Sequence, residues 1–300
     1  MSDRDSLSAR QLPFMTLSDG LPSSLTGPPP PLPHYLNAEG RALARFAVEG
    51  NAVVTGGAGT LALSAARALL EHGLANLVIF DLQSTIRASA DALQAIKDDF
   101  SQSRILITAV DVTDAEAVDA AFTMVAGEIG TVDTLLCFAG IVGCVHAMEM
   151  TPTQWRKTLD VNTTGSFLCA QAAAKQMAKQ GTGGSIMLTA SISAHRVNFP
   201  QPQVAYNVSK AAIVALKSSL AAEWANHGIR VNSLSPGYMD TVLNAGEGLE
   251  EARRSWSNRN PMGRMGSLGE LDGVVVLLCS RAGSYITGAD FVVDGGATVF

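Results

Sequence analysis

The chain predicts an α/β fold, a single doubly wound domain whose seven-stranded parallel sheet is covered by helices on both faces. Three observations carry that expectation. From Asn51 onward, short β-branched and aliphatic runs alternate with longer alanine-rich stretches. The runs are nearly continuous in apolar character, as strands buried on both faces must be. The first run also leads directly into a glycine-rich turn and then a helical stretch, an order that binds ligands beyond the carboxyl ends of parallel strands.

Taken in order, the strands are expected at 51–55 (NAVVT), 76–81 (NLVIFD), 104–110 (RILITAV), 132–139 (VDTLLCFA), 184–190 (GSIMLTA), 229–235 (IRVNSLS) and 289–294 (ADFVVD). Helical stretches fill 61–72, 114–128, 165–180 and 204–226. No repeat interrupts the pattern. Residues 1–40 read differently, because Pro13, Pro22, Pro28 to Pro31 and Pro33 break any period and GPPPPLP at 27–33 favours polyproline II. The expected organisation is a flexible, proline-rich leader over 1–40 and one α/β domain over 41–300. A loosely attached leader and a ligand for a proline-binding partner both fit the leader's composition.

The 300 residues are 47% hydrophobic and only 16% charged, enough to bury a large core. A net charge of -6, with 21 basic residues that form no run, excludes a nucleic-acid surface. Cys137, Cys144, Cys169 and Cys279 lack any paired metal spacing and read as free thiols in a reducing compartment, with no metal expected. No apolar run reaches the roughly 18 residues of a membrane span. The N-terminus has neither a signal-type core nor transit-peptide character. The cytoplasm is the expected location, without a membrane partner.

The segment VVTGGAGTLA at 53–62 is the first candidate site. Read from Gly57 to Ala62 it satisfies G-x-G-x-x-A, in which alanine suffices at the last position because only close helix packing is required there. Gly56, Gly57 and Gly59 supply tight dihedral angles and close backbone approach, and the helix opening near Thr60 offers unpaired amides to a pyrophosphate. Asp81 ends the second run 24 residues after Gly57, where a carboxylate accepts ribose hydroxyls and repels a 2'-phosphate. A capping or surface role is the competing reading. Arg87 lies near enough in sequence to favour a phosphate instead. Asp111 and Val112 either lie against an adenine ring or belong to the cap of the helix starting near Asp114.

AYNVSKAAI at 205–213 places Tyr206 and Lys210 four residues apart on one helix face. A cation beside a phenol favours the phenolate and lowers its pKa, the property a proton-transferring tyrosine needs. Ser191 and Ser193 follow the fifth run and Asn162 opens another helical stretch, so all can converge on one crevice.

In this order and at these intervals, Thr55-Gly56, Asp111, Ala139-Gly140, Asn162, Ser191, Tyr206-x-x-x-Lys210 and Pro236-Gly237 resemble the classical short-chain dehydrogenase/reductases over about residues 47–297. The resemblance implies a Rossmann fold in which Tyr206 is the general acid/base and Lys210 lowers its pKa and binds the nicotinamide ribose. It also implies that Ser191 positions the substrate oxygen, with Ser193 as the alternative, and that Asn162 anchors a relay water. The implied cofactor contacts are Thr55, Gly56, Gly57, Gly59, Thr60, Leu61, Asp81, Asp111, Val112, Ala139, Gly140, Tyr206, Lys210, Pro236, Gly237, the Tyr238 backbone and the Thr241 hydroxyl. Two departures stand out: Thr60 and Ala62 fill the family's last two glycine positions, and CFAG at 137–140 replaces the frequent Asn-Asn-Ala-Gly. Both bear on affinity and stability, neither on proton transfer.

Substrate choice falls to loops 143–150, 194–203 and 239–260. The second carries His195, Asn198, Gln201 and Gln203, a polar lining for a polyhydroxylated substrate or else a solvent loop. TASISAHRVNFPQPQVAYNVSK is also similar to fungal sugar-alcohol dehydrogenases of the mannitol, arabinitol and sorbose type. The implied activity is hydride transfer between a nicotinamide cofactor, NAD ahead of NADP, and a polyol/ketose pair. An NADPH-dependent ketoreductase and a non-catalytic NAD-binding sensor remain open. Small apolar faces on AQAAAKQMAKQ and AAIVALKSSLAAEWA suit a homotetramer or homodimer, or simple packing on the sheet.

Overall fold

Seven parallel strands, β1 Asn51–Thr55, β2 Asn76–Asp81, β3 Arg104–Ala109, β4 Thr134–Cys137, β5 Gly184–Thr189, β6 Ile229–Pro236 and β7 Asp290–Val293, pair in the order β3-β2-β1-β4-β5-β6-β7. This computed structural model describes residues 13–21, 23–241 and 247–299. Residues 1–12 and Pro22 of the expected leader, and 242–246 of the third substrate loop, lie outside the described residues. The helices are α1 Ala38–Phe46, α2 Thr60–Glu71, α3 Gln83–Ala88, α4 Ala90–Asp99, α5 Ala115–Ile129, α6 Pro152–Leu159, α7 Gly165–Gln180, α8 Val204–Trp224, α9 Glu250–Asn258 and α10 Asp272–Cys279.

Apolar residues run through every central strand because both sheet faces are buried. Successive side chains point to opposite faces, so Val53 pairs in register with Val78 and Leu135, and Leu135 with Ile186, all on one face. That row meets Phe122 of α5, Ala173 of α7 and Ile213 of α8. One residue along, Val54, Ile79, Leu136 and Met187 form the opposite row against Leu69 of α2 and Val275 of α10. Each such fully buried aliphatic side chain contributes about 1.5–3 kcal/mol relative to exposure.

The strand order reverses between β1 and β4, the point at which parallel sheets of this kind bind ligands beyond the carboxyl ends of their strands. β4 is shorter than the 132–139 expected. Beyond Cys137 only the Phe138 amide still reaches the Thr55 carbonyl, at 2.9 Å, and the Ile141 amide is already drawn to the Asn162 side chain at 2.8 Å. The stretch expected at 204–226 ends at Trp224 and tightens into a short 3-10 turn.

The described part of the leader lies against the body. Arg281 donates to the carbonyls of Pro29, at 3.3 Å, and Pro30. A Cβ on Gly228, whose φ is +70°, would sit 2.7 Å from that of Leu25. Helix α1, capped by the Asn37 side chain on the Gly40 amide at 2.8 Å, straddles residue 40.

Candidate active site

The turn after β1 is built from main chain. Gly56 has φ +62°, and a Cβ there would fall 2.5 Å from the Ala139 amide nitrogen, so only glycine lets the β1 and β4 loops touch. A Cβ at Gly57 would meet the Val54 carbonyl oxygen at 2.7 Å. Helix α2 starts after Gly59 with no side chain capping its first turn, leaving the amides around Thr60 and Leu61 for an anion. That donor set fits a dinucleotide pyrophosphate. Asp81 accepts from the Ala58 amide at 3.0 Å and from the Leu82 amide at 2.8 Å, so its half-exposed carboxylate ties the end of β2 to the glycine turn. It caps no helix, because α3 begins after Leu82 without a side-chain cap.

Asp111 folds back on the Thr113 amide at 2.9 Å and its hydroxyl at 2.7 Å, and the cap of α5 is Asp114, which accepts from Ala117 at 3.0 Å. Val112 is buried, and a Cβ on Gly165 would sit 2.7 Å from it. The Thr55 hydroxyl meets the buried Cys137 thiol inside the sheet rather than facing the crevice. Burial pushes that thiol up to about 12, which keeps it protonated and inert.

The proton-transfer residues converge from three elements. A π-helical turn at Asp160–Thr164 joins α6 to α7 and carries Asn162, fully buried. Such bulges re-aim a side chain out of the helical ladder. Asn162 accepts from the Ile141 amide at 2.8 Å and donates to the Ile141 carbonyl and the Ser209 hydroxyl, both at 2.9 Å. Its side chain therefore positions the β4 loop against α8. A relay water would have to be anchored by its main-chain carbonyl, which accepts from Ser166 at 2.8 Å and keeps a second lone pair. Lys210 donates to the Thr189 carbonyl at 2.6 Å, and a Cβ on Gly140 would lie 3.6 Å from its ammonium and 3.3 Å from Asn162.

Ser191, at the end of β5, is the side chain that acts on the Tyr206 phenol, pulling its pKa down. Ser191 also holds the Ser193 amide at 3.1 Å and hydroxyl at 3.0 Å, so it is Ser191 that meets the phenol while Ser193 leads on toward Gln203 at 3.4 Å. The electrostatics correct one expectation. Burial raises the Tyr206 pKa, against a lowering by Ser191, and Tyr238 raises it further. The Lys210 ammonium, 5.6 Å from the Tyr206 ring centre, is itself drawn down to about 8 by burial. Within the polypeptide alone, desolvation outweighs the lysine's pull on the phenol.

On the substrate side the polar residues of 194–203 do not act together. His195 turns away, its Nε2 2.8 Å from Asp290 on β7 and 3.2 Å from Ser235 on β6, so it braces strand ends instead of lining the loop's cleft. Gln203 is buried against Ser193 and the Cys144 thiol. Asn198 and Gln201 both reach the Tyr238 hydroxyl, at 2.5 and 2.9 Å. Tyr238 stacks on Trp256 of α9 at 4.3 Å between ring centres, and the Trp256 indole donates to Gln201 at 3.1 Å. Sequence reasoning gave Tyr238 only a backbone role and missed Trp256, which sits 55 residues beyond Gln201 with no spacing signal. Pro236 ends β6 and Gly237 opens the loop after it, where a Cβ on Gly237 would strike Ile192 at 2.4 Å, and Thr241 is buried farther along.

A parallel sheet with a glycine turn at its reversal point, facing a joined serine, tyrosine and lysine, defines a nucleotide-dependent oxidoreductase. Over residues 56–298 the chain matches a family model described as "Enoyl-(Acyl carrier protein) reductase". It is 38% identical over 263 residues to the D-arabinitol 2-dehydrogenase (ribulose-forming) of Scheffersomyces stipitis, spanning 84% of this chain and 95% of that protein. It is 40% identical over 257 residues to the galactitol 2-dehydrogenase of Rhizobium johnstonii, spanning 85% and 97%. A gluconate 5-dehydrogenase from Burkholderia cenocepacia, solved in complex with NADP and tartrate, superposes with a TM-score of 0.78 at 30% identity over 86% of this chain and 99% of that one. The chain belongs to the short-chain dehydrogenase/reductase family and is an NAD(P)-dependent oxidoreductase acting on CH–OH groups. Among the described residues no helix is long and apolar enough to cross a membrane.

Proposed function

We propose that this protein interconverts a polyol and its ketose with NAD as cofactor, Tyr206, Ser191, Lys210 and Asn162 forming the catalytic set. The observation that carries the reading is the meeting of three polar side chains, Asn198, Gln201 and Tyr238, contributed by the segment that runs from Ser191 to Tyr206 and by the chain leaving β6. An acyl chain or a bulky apolar ketone gains nothing from such groups, whereas a polyhydroxylated substrate replaces its water hydrogen bonds with them. The naming of arabinitol and galactitol dehydrogenases among the relatives supports the same class.

A dinucleotide held by its pyrophosphate at the glycine turn would supply the hydride acceptor or donor through its nicotinamide. Ser191 holds the oxygen of the reacting carbon, and Tyr206 takes that oxygen's proton as it becomes a carbonyl. Lys210 orients the ribose and offers a proton path from Tyr206 toward the Asn162 carbonyl and solvent. Thr55, Gly56, Gly57, Gly59, Thr60, Leu61, Asp81, Asp111, Val112, Ala139, Gly140, Pro236, Gly237, Tyr238 and Thr241 would hold the cofactor together with Tyr206 and Lys210. The Asp81 carboxylate disfavours a 2'-phosphate and so supports NAD over NADP. The gluconate dehydrogenase neighbour is seen with NADP, which makes the cofactor arm of the test decisive.

In the same reading residues 41–300 are the catalytic domain, residues 1–40 an appended leader and the cytoplasm its location. A homodimer or homotetramer forms over the groove of about 490 Å³ between α7 and α8, lined by Phe167, Leu216 and Trp224. The test is a spectrophotometric screen of polyols and ketoses with NAD and NADP. Turnover is expected with NAD and a polyol. Activity confined to bulky ketones with NADPH would transfer the assignment to a ketoreductase.

A further inference from the structure

The Tyr238 side chain occupies a position that neither cofactor binding nor proton transfer explains. It follows β6 and is held from three sides. Trp256 lies flat against its ring, with 7° between the planes. An indole N–H can only donate, so the Trp256 bond at 3.1 Å fixes the Gln201 carbonyl toward α9 and turns the Gln201 amide to the phenol at 2.9 Å. The Asn198 amide donates to the same oxygen at 2.5 Å. With two donors on its lone pairs, the phenol oxygen directs its own proton away from both amides.

The acceptor end of Asn198 completes the arrangement. Asn198 is only 8% exposed, and its Oδ1 is buried without a hydrogen-bond partner. A buried acceptor left unpaired is destabilising, and a ligand that donates to it removes that cost. The free phenol proton and the free carbonyl oxygen belong to directly bonded neighbours. Together they match one functional group, a hydroxyl, which accepts one hydrogen bond and donates another. A methyl group offers neither, and a ketone oxygen offers no proton.

We infer that Tyr238 and Asn198 form a specificity site for a second substrate hydroxyl, adjacent to the reacting carbon. Tyr238 donates to that oxygen and Asn198 accepts its hydrogen, so the enzyme selects vicinal diols over simple secondary alcohols. Tyr238 follows Gly237, where a Cβ would lie 2.4 Å from Ile192, the residue after Ser191, and Asn198 belongs to the segment between Ser191 and Tyr206, so the pair sits beside the reacting centre. Trp256 and Gln201 are positioning residues that hold the donor in place. The inference rests on the polyol reading and deepens it.

The experiment compares 2,3-butanediol with 2-butanol, which differ by that one hydroxyl, in the full-length wild type and in Tyr238→Phe, with NAD. Sites that hydrogen-bond a substrate hydroxyl reject analogues lacking it by large factors. The wild type is therefore expected to favour the diol by at least about 100-fold in kcat/KM. Tyr238→Phe keeps the stack on Trp256 and should lose roughly 30-fold or more on the diol, chiefly through KM, and lose much less on 2-butanol. Asn198→Ala should lower the same ratio in a second fold-independent way. A wild-type ratio near one, or a Tyr238→Phe loss equal on both alcohols, overturns the site and leaves the dehydrogenase assignment standing. Wild-type enzyme that turns over neither these alcohols nor any polyol or ketose overturns the polyol reading and the site with it.

Discussion

The two ends of the crevice are made of different atoms. Around β1 and β2 it is main chain: Gly56 and Gly57 pressed against neighbouring loops, and the uncapped amides that open α2. Around β5 and β6 it is side chains: Ser191 on Tyr206, and Tyr238 between Asn198, Gln201 and Trp256. Backbone amides recognise what every dinucleotide shares, a pyrophosphate, and need only that side chains be absent. Side chains recognise what varies between substrates and must be brought together from distant parts of the chain. The first end should fail where a side chain is added at Gly56 or Gly57, and the second where one is taken away.

The largest test of that contrast is at the side-chain end. Tyr206→Phe removes one hydroxyl and leaves the ring, the Lys210 contact and the glycine turn in place. General acid/base groups contribute about 10²–10⁴-fold, so kcat should fall by roughly that factor while NADH binding, read by nicotinamide fluorescence, stays within about twofold. A variant that loses cofactor and turnover together would show that the two ends are not separable. Retention of turnover would show that a group other than Tyr206 moves the proton.

The same contrast explains what was legible in the sequence. β1, β2 and the starts of β5 and β6 fall where apolar runs predict them, because burial on both faces makes the runs continuous. The glycine turn was legible because steric exclusion writes itself as a local pattern, and Tyr206 and Lys210 because one helix carries both. The short ending of β4 was not, since Asn162, more than twenty residues later, pulls Ile141 away from the sheet. Nor was Tyr238's side-chain role, whose partners come from α9 and the β5 loop. His195 counted as substrate lining only because nothing local to it announces Asp290 on β7. The raised pKa of Tyr206 is a burial effect, and pairwise spacing carries no information about burial.

Lys210 sharpens the comparison with a pH dependence. Its ammonium is buried beside Gly140 and Thr189, and burial lowers its pKa from an ordinary 10.5 to about 8. Below pH 8 both the folded and unfolded chains carry the proton, and the folded state bears the whole desolvation penalty. Between about 8 and 10.5 the unfolded chain keeps a proton that the folded one has shed, so the wild type gains stability as pH rises. Lys210→Met lacks that gain. Its Tm relative to wild type should be most favourable at pH 7 and decline across the window, by the equivalent of up to ~3 kcal/mol. A difference that stays flat from pH 7 to 10 would mean that Lys210 is solvated and not buried as described. Repeating the pair of scans in a Tyr206→Phe background removes the phenol's own titration from the comparison.

The smallest expected effect falls on the one side chain that works at the backbone end. Asp81 bonds the Ala58 and Leu82 amides, so it holds the turn's shape while its charge faces the space beyond β2. Asp81→Asn separates these roles, because an amide oxygen still accepts from one backbone N–H but carries no charge. If the charge sets cofactor choice, the ratio of kcat/KM for NADP to that for NAD should rise by about tenfold, an effect near 1.4 kcal/mol. The loss of one hydrogen bond to a backbone amide should meanwhile lower stability by only about 1 kcal/mol. An unchanged ratio accompanied by a drop in Tm would make Asp81 a clamp on the turn and nothing more. The backbone end would then discriminate no feature of the nucleotide beyond its pyrophosphate, and preference between the two cofactors would have to come from residues farther along α3, such as Arg87.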